Sequence, residues 1–174
     1  MRALGIVVLH WLHQVGLAVW LGGAVVLGAV AAPSVFGMAR AAGDTATGDP
    51  LWDFAGVAMG EAFRRFNYVV MAAGGAALLA GIGYGLLARL CRKRVLVRAA
   101  LTLAALGIAA WLTFVYYPQL VTARAAGDTA TFDAFHRTYS TAFQAQMVLL
   151  FGVIALTGWM HLFRSPGARE ARAE

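Results

Sequence analysis

The sequence predicts an all-α integral membrane protein, a bundle of four transmembrane helices. Of its 174 residues, 61% are hydrophobic and 13% are charged, whereas a soluble domain has about 45–50% apolar and about 25% charged residues. Four apolar stretches exceed the about 20 residues that a helix needs to cross a bilayer. None alternates with period 2, and all are rich in Leu, Ala, Gly and Val, which favours helices over barrel strands. The chain is therefore one membrane domain, residues 1–174.

The four predicted spans follow one another as residues 4–32, 67–90, 97–117 and 142–163. The first begins after Arg2 and ends near Ala29-Val30-Ala31, which is also the pattern of a cleavable secretory signal. This run is too long for the core of a signal peptide and contains His10 and His13. We therefore expect it to remain as a membrane helix.

Basic residues cluster in the connection after the second span and at both chain ends: Arg2, Arg89, Arg92, Lys93, Arg94, Arg98, Arg164, Arg169 and Arg172. The other two connections carry a slight excess of acids. The positive-inside rule then puts both termini and the basic loop in the cytoplasm, as in a bacterial-type inner membrane. The positive charge is thus a topology signal and does not indicate nucleic acid. The expected partners are the lipid bilayer and either a second copy or another membrane protein.

One polar phrase, ARAAGDTAT, occurs twice, at residues 39–47 and 123–131. Each copy follows an outward-going span and a proline, Pro33 or Pro118, and precedes an A-F-x-R sequence. This order predicts two parallel helical-hairpin repeats, about residues 1–92 and 93–174, related by an axis along the membrane normal. Each proline predicts a bend where the chain leaves the membrane, and each Gly-Asp-Thr predicts a helix end followed by a new start.

The segments that follow the two phrases, residues 50–68 and 132–143, carry spaced aromatic and charged side chains. This pattern predicts amphipathic helices that lie on the outer membrane surface, or a well-anchored loop. Arg64, Arg65 and Arg137 belong to these segments and are candidate contacts for an anionic head group. Ordinary anchoring of arginines at the interface explains them equally well.

Ionisable side chains within a membrane span are functional candidates, and here they are His10, His13 and His161. His10 and His13 share one helical face with Trp20. The helical rise puts His10 and His161 at similar depth, with Thr157 one turn above His161. Imidazoles facing each other across a bundle can ligate haem, copper or zinc. Because no Cys, Asp or Glu is embedded with them, they make a poor zinc site, whereas haem needs only one or two such ligands. The cofactor is left open, with haem b on His10 or His13 as one candidate.

The alternative is that His10 and His13 hydrogen-bond to neighbouring helices while His161 lies among the lipid headgroups. No catalytic residue is predicted, because no serine has a plausible His and acid partner set and no phosphate-binding loop is present. Two function classes are favoured, and a third, an enzyme that acts on a lipid or tetrapyrrole held by Arg64, Arg65 and Arg137, stays open. One is a protein that binds or transports a haem- or metal-type ligand or a small solute within the bundle. The other is a non-catalytic scaffold that grips a partner through small residues such as Gly81 and Gly85.

Three phrases occur in order along the chain: LHWLHQVGLAVWLGGAVVLGAVAAPSVF, FRRFNYVVMAAGGAALLAG and FHRTYSTAFQAQMVLLFGVIAL. On these phrases the chain resembles the small four-helix membrane proteins grouped with human transmembrane protein 205. The resemblance covers nearly the whole chain and implies a helical bundle of unknown activity. The LH…VWLGG opening and the F-x-R-F sequence are more distantly similar to copper-resistance D proteins and to the bacterial membrane protoporphyrinogen oxidase. That likeness implies a copper or tetrapyrrole ligand near His10 or His13.

Overall fold

The computed structural model describes residues 1–46 and 48–162, of which residues 160–162 by backbone alone. This part of the chain contains no strand and forms four long helices: α1 (Arg2–Ala41), α2 (Pro50–Leu87), α3 (Arg92–Ala125) and α4 (Thr129–Leu162). All four are long and apolar enough to cross a membrane. The predicted fold class, an all-α bundle of four transmembrane helices, is confirmed.

Apart from Arg98, the charged side chains of the described chain lie at the two ends of the bundle and leave a neutral layer between them. Residues 3–39, 66–88, 99–123 and 138–162 contain no Asp, Glu, Lys or Arg. The shortest of these, residues 66–88, measures about 35 Å at about 1.5 Å per residue, which matches a hydrocarbon core of about 30 Å. We call the end that holds Arg2 and residues 88–94 the basic end. The opposite end, residues 40–65 and 124–137, carries every Asp and Glu of the described chain and is called the acidic end.

The segments predicted to lie on the membrane surface instead lengthen α2 and α4, so that prediction is wrong. α2 is one helix from Pro50 to Leu87, and ion pairs of 2.7 Å join Glu61 to Arg64 and Arg65, at the interface with the neutral layer. Such pairs, three and four residues apart, support an uninterrupted helix. Aromatic side chains of these extensions contact the other helices, as in the ring contact of Phe36 with Trp52 at 4.8 Å.

α1 and α3 each contain one π-helical turn, Val26–Ala31 and Leu112–Tyr116. In both, the residue before Pro33 or Pro118 donates its N–H to the carbonyl five residues back. A proline has no N–H to donate, and its ring clashes with the carbonyl four residues before it. The wider turn makes room for the ring and lets the helix continue. The predicted bends thus take the form of π-helical turns, and the chain stays helical beyond both prolines.

Both copies of the repeated phrase end a helix, as the sequence predicts. Gly43 and Gly127 have positive φ angles of 98° and 68°, a conformation that costs glycine little and commonly terminates helices. Asp128 then caps α4 by accepting the N–H of Thr131 at 3.0 Å. The corresponding Asp44 accepts an N–H from the first turn of α2 at 2.7 Å. Duplication of the halves as the origin of this likeness stays a prediction.

The helices pack in the order that the two hairpins predict. α1 runs along α2 and α3 along α4, while α2 and α3 join the two hairpins, and α1 has little contact with α4. The core lies at the centre of the neutral layer, where Leu17, Trp20, Val70 and Leu150 are fully buried. This arrangement decides which side chains α1 can meet.

Candidate functional site

His13, the central residue of the predicted site, is buried against α2. Its side chain is 1% exposed, and Nδ1 lies 2.8 Å from the carbonyl oxygen of Ala77. A carbonyl oxygen only accepts, so Nδ1 carries the proton and donates, which leaves a lone pair on Nε2 of the neutral ring. Nε2 has no hydrogen-bond partner among the described residues. This agrees with the alternative prediction for His13, in which it hydrogen-bonds to a neighbouring helix.

The sequence predicts Arg98 to lie in the basic loop, and that prediction is wrong. Arg98 lies in α3 and is 2% exposed. Its guanidinium donates to the carbonyl of Gly81 and lies 5.9 Å from the ring centre of Tyr84. Within the described chain no carboxylate pairs with it. Its helical spacing to Thr102 and Ala105, on the buried face, was a signal that could have revealed this position.

Gly81 of α2 brings Arg98 and His13 together. A Cβ on this glycine would stand 2.9 Å from His13 Nδ1 and 3.4 Å from an Arg98 nitrogen. α1 and α3 therefore meet α2 at a position that only a residue without a side chain permits. The result is a buried pair of basic groups in the bundle near the basic end.

The other predicted site residues are distributed over the neutral layer. The His10 ring lies 5.0 Å from that of Tyr84, and Trp20 is fully buried with its indole N–H unpartnered among the described residues. Thr157 is buried and donates to the carbonyl one turn back in α4. The side chain of His161 lies outside the described residues. The structure thus brings His10 and His13 together beside α2, and it gives α1 few contacts with α4, where a shared ligand was predicted.

The space beside His13 and Arg98 is too small for a water molecule. Among the described residues no group of three or more His, Cys, Asp or Glu side chains could hold a metal ion. A haem or a metal complex therefore does not fit beside His13 as the helices are packed. A different part of the molecule offers room for a ligand.

A cavity of about 630 Å³ opens between all four helices, where the π-helical turns give way to the acidic end. Its floor includes Gly28, in the π-helical turn of α1, and its upper wall reaches Arg124 of α3. The side chains that line it are mostly aromatic and small: Gly28, Ala32, Phe36, Trp52, Gly56, Met59, Gly60, Phe63, Tyr117, Leu120, Phe132, Tyr139 and Phe143. Six polar residues also line it: Thr45, Arg124, Asp133 and His136 of the acidic end, and Ser140 and Gln144 of the neutral layer.

Arg124 is held in the cavity wall by three contacts. It forms an ion pair of 2.9 Å with Asp53 and donates to the same residue's backbone carbonyl at 2.9 Å. Its guanidinium also stacks over the Phe132 ring at 5.5 Å. Gly56 makes space for it, since a Cβ there would be 2.5 Å from a guanidinium nitrogen. The positive charge of Arg124 is therefore already neutralised by the protein.

The three arginines predicted to contact head groups are placed differently. Arg64 and Arg65 both pair with Glu61 at 2.7 Å, and Arg137 is exposed. None of these three lines the cavity. The sequence analysis missed the cavity itself. Its signal was the aromatic spacing of residues 50–68 and 132–143, which was assigned to the membrane surface.

Comparison with known proteins gives one result. The sequence model of a family described as a domain of unknown function, DUF4149, matches residues 15–129. No curated protein and no solved structure matches the chain. The matched residues extend from α1 to the start of α4 and include Arg98, both π-helical turns and much of the cavity wall, whereas His10 and His13 precede the matched range.

Proposed function

Because this chain belongs to the DUF4149 family, whose activity is unknown, we propose its function from its geometry. The protein binds a small amphipathic molecule in the cavity at the acidic end of its helix bundle. The observation that supports this most directly is the cavity of about 630 Å³ between the four helices.

The size and chemistry of the cavity fit such a ligand. Small-molecule sites are commonly concave, about 300–1,000 Å³ in volume, and apolar with a few converging polar groups. Here most of the lining is aromatic or small, and four of the six polar residues belong to the acidic end. The floor also lies where the neutral layer ends, so an apolar body would sit at membrane depth and a polar head would face the acidic end.

The π-helical turns support the same location. Such turns are rare and are frequently found at functional sites. Both lie at the base of the cavity, with Gly28 inside one and Tyr117 directly after the other. These turns let α1 and α3 continue as helices beyond Pro33 and Pro118. The cavity lies between the parts of the two helices that follow the prolines.

A haem b group or a metal ion on His10 or His13 is the second candidate. It is supported by the free Nε2 of His13 and by the resemblance to copper-resistance D proteins and protoporphyrinogen oxidase. It requires α1 to move away from α2, because the present space does not admit water. A Soret band in purified protein from a haem-replete host, lost in His13→Ala, would establish this candidate.

The scaffold hypothesis cannot depend on Gly81 or Gly85. Gly81 packs against His13, and a Cβ on Gly85 would stand 2.6 Å from Val95. These glycines close the chain's own helix contacts and are not free for a partner. Assembly with a second copy or another membrane protein would need a different surface, and we do not assign one.

Ligand binding is tested with N-phenyl-1-naphthylamine, a neutral amphiphilic fluorophore that accepts energy from tryptophan. The protein is held in zwitterionic lipid nanodiscs, and empty nanodiscs give the background. We expect saturable energy transfer that falls when Trp52, in the cavity wall, is replaced by Phe. Gly28→Leu should weaken binding at least tenfold, because a side chain there starts 3.9 Å from Phe143 and points between the helices.

Gly22→Leu is the matched control for this experiment. It adds the same side chain to the same helix at a position with no atom within 4 Å of the new Cβ. We expect its affinity to equal that of the wild type. Absence of saturable transfer, or equal affinity of the Gly28 and Gly22 variants, would refute the proposed cavity site.

We also propose that the protein lies in a bacterial-type inner membrane with its basic end and both termini in the cytoplasm. The distribution of charge between the two ends supports this orientation. Cys91 provides the test, because it is exposed in the loop between α2 and α3. The backbone N–H groups of Arg94 and Lys93 hold the pKa of its thiol below the ordinary value, which favours the reactive thiolate. A membrane-impermeant maleimide should label it in inverted vesicles and not in intact spheroplasts; the reverse result would invert the topology.

A further inference from the structure

The proposed function does not specify the head group of the ligand. The charges around the cavity indicate the sign of its charge. We propose that the cavity takes a cationic amphiphile, an apolar body with an ammonium-type head. This inference rests on the proposed function and adds the sign of the ligand's charge.

Aromatic rings dominate the wall. Seven Phe, Tyr and Trp side chains line the cavity among the described residues. The face of an aromatic ring carries partial negative charge, so it attracts a cation within about 6 Å of its centre. The wall already binds one cation in this way, because the Arg124 guanidinium lies 5.5 Å from the centre of the Phe132 ring.

Asp133 supplies a carboxylate at the mouth of the cavity. It is exposed, and it forms no hydrogen bond or ion pair with any other described residue. The other nearby carboxylates are occupied, since Asp53 pairs with Arg124 and Glu61 with two arginines. Asp133 is therefore the carboxylate in the described wall that remains available to a ligand.

The wall has no matching site for an anion. Arg124 is the arginine that lines the cavity in the described chain, and its charge is compensated by Asp53 at 2.9 Å. The His136 ring lies 5.9 Å from the Phe132 ring in a stacked arrangement. Asp53, Asp133 and Arg124 together leave one negative charge. An anionic head would meet that charge without a free cation to receive it.

Three probes with one apolar body separate charge from apolar binding: decyltrimethylammonium, decanol and decanoate. Each competes with N-phenyl-1-naphthylamine for the protein in zwitterionic nanodiscs, after correction for partitioning into empty nanodiscs. We expect the ammonium compound to displace the fluorophore at a concentration at least tenfold lower than decanoate. Asp133→Asn should weaken the ammonium compound about fivefold and leave decanol unchanged, and Asp133→Glu should restore its affinity.

Asp44→Asn is the control, because it removes the same charge from the same end of the bundle at a residue that does not line the cavity. Its probe affinities should match those of the wild type. If decanol displaces the fluorophore but the three probes show no preference by charge, the cationic head is refuted while the cavity site stands. An equal loss of ammonium affinity in the Asp44 and Asp133 variants would likewise refute a specific role of Asp133. If no probe displaces the fluorophore, the proposed function itself fails.

Discussion

The two ends of this bundle are built from the same four helices but pack in opposite ways. Towards the basic end, a Cβ on Gly16 would stand 2.6 Å from the carbonyl oxygen of Ala73, and one on Gly85 would stand 2.6 Å from Val95. Towards the acidic end, the same addition to Gly28 or Gly60 finds its nearest atom at 3.9 or 3.6 Å. In the half towards the basic end the helices are in close contact at these glycines, and we call it the closed half. The half towards the acidic end surrounds a cavity of about 630 Å³, and we call it the open half.

This contrast separates two uses of small residues in a membrane bundle. In the closed half they let backbones approach, and packing is what holds helices together in lipid. In the open half the small residues leave space in the cavity wall, and the other residues of that wall are largely aromatic. Tight packing of the first half can hold the four helices together while the second half stays open. The largest effects on stability should therefore come from the closed half, and the largest effects on binding from the open half.

Gly16→Ala should give the largest loss of stability. The new methyl group would meet a backbone carbonyl that cannot rotate away, and overpacking of this kind costs about 1–3 kcal/mol. Gly22→Ala, on the same helix with open space around its Cβ, should be neutral or slightly stabilising. Denaturant unfolding in detergent micelles measures both free energies. Equal free energies of unfolding for the two variants would mean that the helices of the closed half are not in contact at Gly16.

Arg98→Met should stabilise the closed half. A buried guanidinium without a carboxylate partner is costly, and the replacement of even a paired buried charge by apolar side chains of similar volume is often neutral or stabilising by about 1–4 kcal/mol. Arg94→Met removes an exposed arginine one turn earlier in α3 and should change the free energy of unfolding by less than about 0.5 kcal/mol. A clear destabilisation by Arg98→Met alone would contradict this prediction and indicate that the hydrogen bond to Gly81 and the contact with Tyr84 outweigh the cost of burying the charge.

Gly56→Ala should give the smallest effect, in the wall of the open half. The added methyl group would displace the Arg124 guanidinium from Asp53, but this ion pair is partly exposed, and such pairs contribute about 0–1 kcal/mol. Gly75→Ala is the matched control, because it gains the same helix propensity in α2 with nothing within 4 Å. The unfolding free energy of the Gly56 variant should lie below that of the Gly75 variant by up to about 1 kcal/mol. A more stable Gly56 variant would show that the ion pair adds nothing to this wall.

Composition and local pattern were enough to predict the four helices and the helix ends at Gly43 and Gly127. Apolar length specifies a membrane span, and a glycine followed by aspartate specifies a stop, whatever the rest of the chain does. The burial of Arg98 was not predictable from the number of charges. An exposed arginine of the basic loop, such as Arg92, and a buried arginine six residues after it look alike in a sequence. The spacing of Arg98 to Thr102 carried the missing information.

The candidate site depended on contacts between distant segments. His10 and His13 were recognised as embedded, but their neighbour was α2 and not α4, because sequence does not state which helices are adjacent. The cavity requires residues near 28, 60, 120 and 140 to converge. The aromatic residues of 50–68 were read as a membrane-surface face because a helix that continues beyond the bilayer has the same local pattern.

The π-helical turns also determine how the upper halves of α1 and α3 are aligned. A turn of this kind holds one extra residue, and each residue of an α-helix accounts for about 100° of rotation. Because the turns occur at corresponding points of the two helices, both continuations are rotated alike, and the matching Ala39 and Ala123 are both buried. Deleting one residue from a single turn would twist one wall of the cavity against the other by about 100° and bring Arg40 or Arg124 towards the place of its alanine neighbour. The two π-helical turns thus keep the walls of the cavity in phase.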